Sequence, residues 1–297
     1  MTDLRVSSPI VVDPRVRGRS AGPVGLVLGG AISVQSGAAL AALLFPRAEV
    51  AGVVALRMTI GALVLMAVCR PRLRGYRRAD WLAAVAFGVG LTGMNAFFYE
   101  AIERIPLGVA VTVEVLGPLT LSVITGRGVS RWLWAVLALG GVVLLSRGGI
   151  DNDLDLVGVG FAAAAAGMWA AYILLSARVG AAFPKADGLA LAMAVAAALT
   201  LPWGVVVAGS AMVDPGTLGM GAAIALLSSV LPYTLELLAL RRLPTSTFAV
   251  LMSLGPAVAA IAGYLVLGQA LAPIQLVAIA LVVAASACAV RLRSRIP

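Results

Sequence analysis

The chain has 297 residues, 61% hydrophobic and 12% charged, with a mean hydropathy of +1.04 and a formal net charge of +9. So few polar groups cannot wet the surface of a water-soluble domain, so the solvent this chain is built for is lipid. It contains no His, which removes the commonest metal ligand and the side chain that titrates nearest neutrality; no metal site is expected, and any proton relay must run on carboxylates.

Residues 1–22 are polar, Arg-rich and without helical periodicity, which predicts a disordered cytoplasmic tail. Ten apolar stretches come after it. Each is expected to be a helix, because a bilayer core of about 30 Å offers backbone amides no water and about 20 residues cross it at 1.5 Å rise. They run approximately over Pro23 to Leu44, Val50 to Cys69, Trp81 to Glu103, Leu107 to Thr125, Trp132 to Ser146, Leu154 to Ala177, Leu189 to Gly209, Thr217 to Leu240, Thr245 to Leu267 and Ile274 to Val290. The first is too long for the core of a cleavable signal and is followed by nine more, so it is expected to stay as a helix. The fifth is short, and its flanking Arg131 and Arg147 must snorkel or sit where the bilayer is thinned. Residues 291–297 form a second cytoplasmic tail.

With the N-terminus inside, 18 of the 22 Lys and Arg fall on the cytoplasmic side, and only Arg47, Arg104 and Arg147 lie outside. That asymmetry predicts both termini in the cytoplasm. The basic residues are scattered through short loops with no aromatic platform, so nucleic acid is not the expected partner. Cys69 and Cys288, both at predicted cytoplasmic helix ends, read as inert reduced thiols. Twenty-one Arg against one Lys, with abundant Ala, Gly and Val, point to a GC-rich bacterium and hence to its inner membrane.

Two stretches 138 residues apart share a pattern. Arg104-Ile105-Pro106, with Gly117-Pro118 downstream, matches Arg242-Leu243-Pro244, with Gly255-Pro256 at the same interval. In each, the first proline sits at a tight turn between helices and the Gly-Pro pair breaks the following helix near its middle. Five helices separate the copies, so one turn lies outside and the other inside. The chain is therefore expected to be an all-α membrane protein of ten transmembrane helices in two inverted five-helix repeats, over 23–148 and 149–290. Broken helices meeting from inverted repeats are the pattern of alternating-access transporters.

These stretches resemble the drug/metabolite transporter superfamily, EamA type, and especially its threonine/homoserine exporter branch. The resemblance rests on Val53-Val54-Ala55-Leu56-Arg57, on Gly93-Met94-Asn95 with Phe98-Tyr99, and on Pro106 through Val111 with Glu114 and Gly117-Pro118. It rests equally on Leu231-Pro232-Tyr233-Thr234-Leu235-Glu236 and on Ala239 through Thr245. It implies ten helices around a central cavity and export of amino acids or related metabolites. Two positions depart from the wider pattern, which carries glutamates where this chain has Gly255 and Gln269.

Polar residues inside the spans are the candidate site. Arg57 and Glu114 lie at similar depth in the second and fourth helices, either as a structural charge pair or as a substrate and proton site. Asn95 and Tyr99, four apart, share one face of the third helix. Ser229, Tyr233 and Glu236 form a stripe toward the inner end of the eighth. Gln35 accompanies a flank of small residues on the first helix, and Trp169 and Tyr172 on the sixth are placed to wall a cavity. Among the carboxylates, Glu114 is favoured over Glu236 as the proton carrier, since a proton entering from outside reaches it first.

The leading expectation is a secondary exporter of small neutral amino acids by proton antiport, without cofactors, as a monomer or loose homodimer; no Walker loop is present to use ATP. A facilitator, or an exporter of another small metabolite or drug, shares this topology. An intramembrane enzyme is the least favoured reading, because there is no His, no Gly-x-Ser-x-Gly and no close acid pair on one helix.

Overall fold

The computed structural model describes residues 21–125, 136, 140–141, 155–184, 186–240, 242–243, 248 and 251–293, with Tyr233 and Glu236 described by backbone alone. Residues 1–20, most of the expected fifth helix and the start of the ninth lie outside the described residues.

Every regular element among the described residues is helical. The first, α1 (Ala21–Cys69), holds two arms, 21–48 and 50–69, joined at a kink where Glu49 takes φ 53° and ψ 164°. A Cβ on Gly37 in the first arm would collide with Ser228, and Arg57 in the second arm hydrogen-bonds to the same residue. A straight helix would hold those positions about 30 Å apart, so the arms fold back on each other. Pro46, which has no amide hydrogen to donate, precedes the reversal.

Three further elements complete the described part of the first half: α2 (Arg78–Arg104), then α3 (Leu107–Glu114) and α4 (Leu116–Thr125), the last two separated at Val115. The stretch expected as one helix with a break is thus two pieces, and the break falls three residues before Pro118. The reason is in the hydrogen-bond register: Pro118 has no N–H to give the carbonyl four residues earlier, which is that of Glu114. In the second half, α5 (Leu156–Ala182) starts at Asp155, whose Oδ1 accepts from the amides of Val157 and Gly158 at 2.8 and 3.3 Å. It is followed by α6 (Asp187–Ala208) and a 3-10 turn, Gly209–Val213. Then α7 (Pro215–Ala225), capped by Asp214, passes through a π turn, Leu226–Val230, into α8 (Leu231–Leu240). The last elements are α9 (Gly255–Leu267), preceded by a turn at Ser253 and Leu254, and α10 (Pro273–Arg293).

Four helices, Gly22–Cys69, Arg78–Arg104, Leu156–Ala182 and Asp187–Val213, are each long and apolar enough to cross a membrane. Their outward faces are apolar too: Val206 is 83% exposed and Leu265 on α9 73%. Such a surface suits lipid and would aggregate in water. Lipid-facing helices gain little from hiding apolar surface from one another, so they must associate through close packing. That is what the glycines provide. A Cβ on Gly108 would stand 2.9 Å from the Ala260 backbone where α3 crosses α9, and Gly117 meets the Ala166 backbone where α4 crosses α5. The crossing of α1 with α6 is of the same kind, with Gly204 against Ala55 and Gly52 against Ala208.

Candidate functional site

The helices leave a central cavity of about 260 Å³. Its polar lining comes from Gln35, Arg57, Asn95 and Glu114, each from a different arm or helix of the first half. Trp169 and Tyr172 of α5 also line it, with Ser228 in the π turn, Pro232 on α8, and Met252 and Gly255 at the break before α9.

Arg57 is the central charge. Its two terminal nitrogens donate to the Tyr99 hydroxyl at 3.0 Å and to the Ser228 carbonyl at 3.3 Å. Both acceptors are neutral, and no ion pair joins Arg57 to Glu114 among the described residues. A guanidinium in a span costs at least about 2.5 kcal/mol on insertion scales, and these contacts offset part of that while leaving its charge uncancelled. Its Nε is buried without a hydrogen-bond partner.

The backbone supplies one of those acceptors through the π turn. Pro232 follows the turn with no N–H to give, so the carbonyls four and five residues before it, those of Ser228 and Leu227, are left for side chains. Here the Ser33 hydroxyl donates to the Leu227 carbonyl at 2.6 Å and Arg57 to that of Ser228. The π turn therefore ties both arms of α1 to the second half at the depth of the cavity.

Tyr99, expected in the cavity, instead stands behind it, fully buried, with its ring between Phe45 and Phe98 at 5.8 and 6.0 Å. It fixes Arg57 by its hydroxyl and by its ring face, 5.4 Å from the guanidinium carbon. Asn95, one turn earlier, does face the cavity; its amide nitrogen donates to the Leu91 carbonyl at 2.8 Å. Gln35 is buried with its Oε1 unpartnered. Ser229 is buried outside the lining, and the stripe enters the cavity through Ser228 and Pro232 instead. The side chains of Tyr233 and Glu236 lie outside the described residues. Of the helix-break residues, Gly255 lines the cavity, Pro256 is buried beside it, and Gly117 and Pro118 direct the turn below Glu114. Gln269 plays a different part: its Oε1 accepts from the Leu107 amide at 3.0 Å, capping α3 from the far end of α9.

Sequence reasoning missed one numerical regularity. Four pairs of lining residues are separated by the same 138 positions as the two Gly-Pro pairs: Ala31 and Trp169, Val34 and Tyr172, Met94 and Pro232, and Glu114 and Met252.

A cavity carrying charged and amide side chains within a bundle of lipid-facing helices defines a membrane transporter, and the chain belongs to the EamA-like transporter family, whose profile matches residues 156–291. It is 41% identical over 265 residues, 89% of this chain and 90% of theirs, to the threonine/homoserine exporter RhtA of Escherichia coli (strain K12) and to that of Salmonella typhimurium (strain SL1344). Those relatives are exporters, and this chain too is a transporter rather than an enzyme. One solved crystal structure superposes with a TM-score of 0.62 at 23% identity, covering 91% of this chain and 98% of its own, a likeness of fold alone.

Proposed function

We propose that the protein is a bacterial inner-membrane secondary exporter of small neutral amino acids, of the threonine and homoserine kind, working by alternating access with proton antiport. The observation that carries this is one cavity holding an uncancelled guanidinium and a carboxylate. An amino acid brings the complementary charges, its carboxylate for Arg57 and its ammonium for Glu114. At about 260 Å³ the cavity falls below the roughly 300–1,000 Å³ of sites for drug-sized ligands, as a small metabolite requires.

The architecture in this reading is ten helices in two inverted repeats, 23–148 and 149–290, with both termini cytoplasmic. The four lining pairs at the 138-residue offset support it, because a site on the axis relating two repeats is lined by equivalent positions of both. Antiport follows from competition at Glu114. The carboxylate holds either a proton or the substrate's ammonium, so a cavity open to the cytoplasm exchanges proton for substrate and one open outside does the reverse.

Proteoliposomes loaded with labelled threonine or homoserine test this. An imposed pH gradient should drive uphill movement by the wild type, whereas Glu114→Gln should lose gradient-driven accumulation and keep downhill exchange. Full gradient-driven accumulation by Glu114→Gln would remove Glu114 from coupling. A wild type that moves no neutral amino acid would overturn the substrate assignment itself.

A further inference from the structure

The two halves give the cavity matched positions but unlike chemistry. Every charged or amide side chain in the lining, Gln35, Arg57, Asn95 and Glu114, comes from the first half. The second half answers Ala31 with Trp169, Val34 with Tyr172, and Glu114 with Met252. Its one aliphatic hydroxyl, that of Ser228, is buried against Gly37. A zwitterion cannot leave its charged groups on an aromatic and thioether wall without losing their hydration uncompensated. A zwitterion bound here would therefore keep its head group on the first half and turn its side chain to the second.

Resting on the amino-acid reading above, we propose that Trp169 is the specificity-determining residue of a side-chain subsite, recognising a side-chain oxygen through its indole N–H and limiting chain length with its ring. Tyr172, whose ring packs 4.9 Å from that of Phe87, backs the same wall. Trp169 suits the task because none of the described residues accepts a hydrogen bond from its indole N–H. Its body packs on the main core cluster while one side faces the cavity, so the donor is held in place rather than swinging freely. An indole N–H only donates, so the group it recognises is an acceptor, which a hydroxylated side chain offers and an isosteric hydrocarbon does not.

The test is a ratio rather than a rate. Competition for labelled threonine transport is measured with threonine, valine and leucine, in wild type, Trp169→Phe and Trp169→Ala. In the wild type, threonine should outcompete valine by about 3- to 10-fold, the worth of one neutral hydrogen bond. Trp169→Phe should bring that ratio near one, and Trp169→Ala should in addition admit longer neutral amino acids such as leucine. A structural role would lower transport of all substrates together and leave the ratios unchanged. Valine competing as well as threonine in the wild type overturns the proposal without any variant needing to fold, as does an unchanged ratio in Trp169→Phe. Neither result touches the amino-acid reading, which fails only if the wild type moves no neutral amino acid.

Discussion

Arg57 in the cavity and Arg104 at the end of α2 are the same residue in opposite surroundings. Arg104 lies at the C-terminus of its helix, 2.6 Å from Glu100 and 3.1 Å from Glu103, with its guanidinium carbon 5.0 Å from the centre of the Phe161 ring. Two carboxylates, the negative end of the helix and an aromatic face leave it nothing to seek. Arg57 is held by a phenol and a carbonyl, which fix its position without cancelling its charge. An arginine surrounded by anions secures structure; one surrounded by neutral acceptors remains able to bind an anion.

Replacing Arg57 by Ala tests the contrast most directly. The substrate carboxylate would lose a charge-assisted partner worth about 1.5–3 kcal/mol, so transport at low substrate concentration should fall about 10- to 100-fold, measured by initial rates in proteoliposomes. Tyr99→Phe sharpens it. The ring remains, but one neutral acceptor is lost and the guanidinium loosens, so substrate affinity should weaken about 3- to 10-fold with the maximal rate little changed. Arg104→Ala should do least: a change in thermal stability of no more than about 1 kcal/mol and transport within about twofold of wild type, because partly exposed ion pairs contribute little. Equal losses from Arg104→Ala and Arg57→Ala would abolish the distinction between the two sites.

The helices were legible in the sequence wherever an apolar stretch ended in a charge, a proline or a cap, as at Arg78–Arg104 and Asp187–Ala208. The polar residues of the cavity were legible because a charge or amide inside a span is costly and needs a reason, as Arg57, Asn95 and Glu114 show. The eighth helix is less legible, for a geometric reason. Ser229, Tyr233 and Glu236 align only at 3.6 residues per turn, but the π turn at Leu226–Val230 winds more slowly and rotates the helix beyond it. Ser228 takes the place expected for Ser229, and an apolar run holding two serines carries no signal of that change. Tyr99 is on the expected face of its helix, yet depth along a helix does not reveal which neighbour stands in front. That requires knowing that the second arm of α1 inserts Arg57 between Tyr99 and the cavity.

The glycine crossings have a mechanical consequence. Where α3 meets α9 at Gly108 and Ala260, and α1 meets α6 at Gly204 and Ala55, the touching surfaces carry almost no side chain. Interlocked leucines would act as gear teeth, each needing a new rotamer before one helix could slip along the other. Smooth contacts have no teeth to disengage, so in the proposed alternating-access cycle these crossings would serve as bearings, holding the bundle together at full contact while its parts roll.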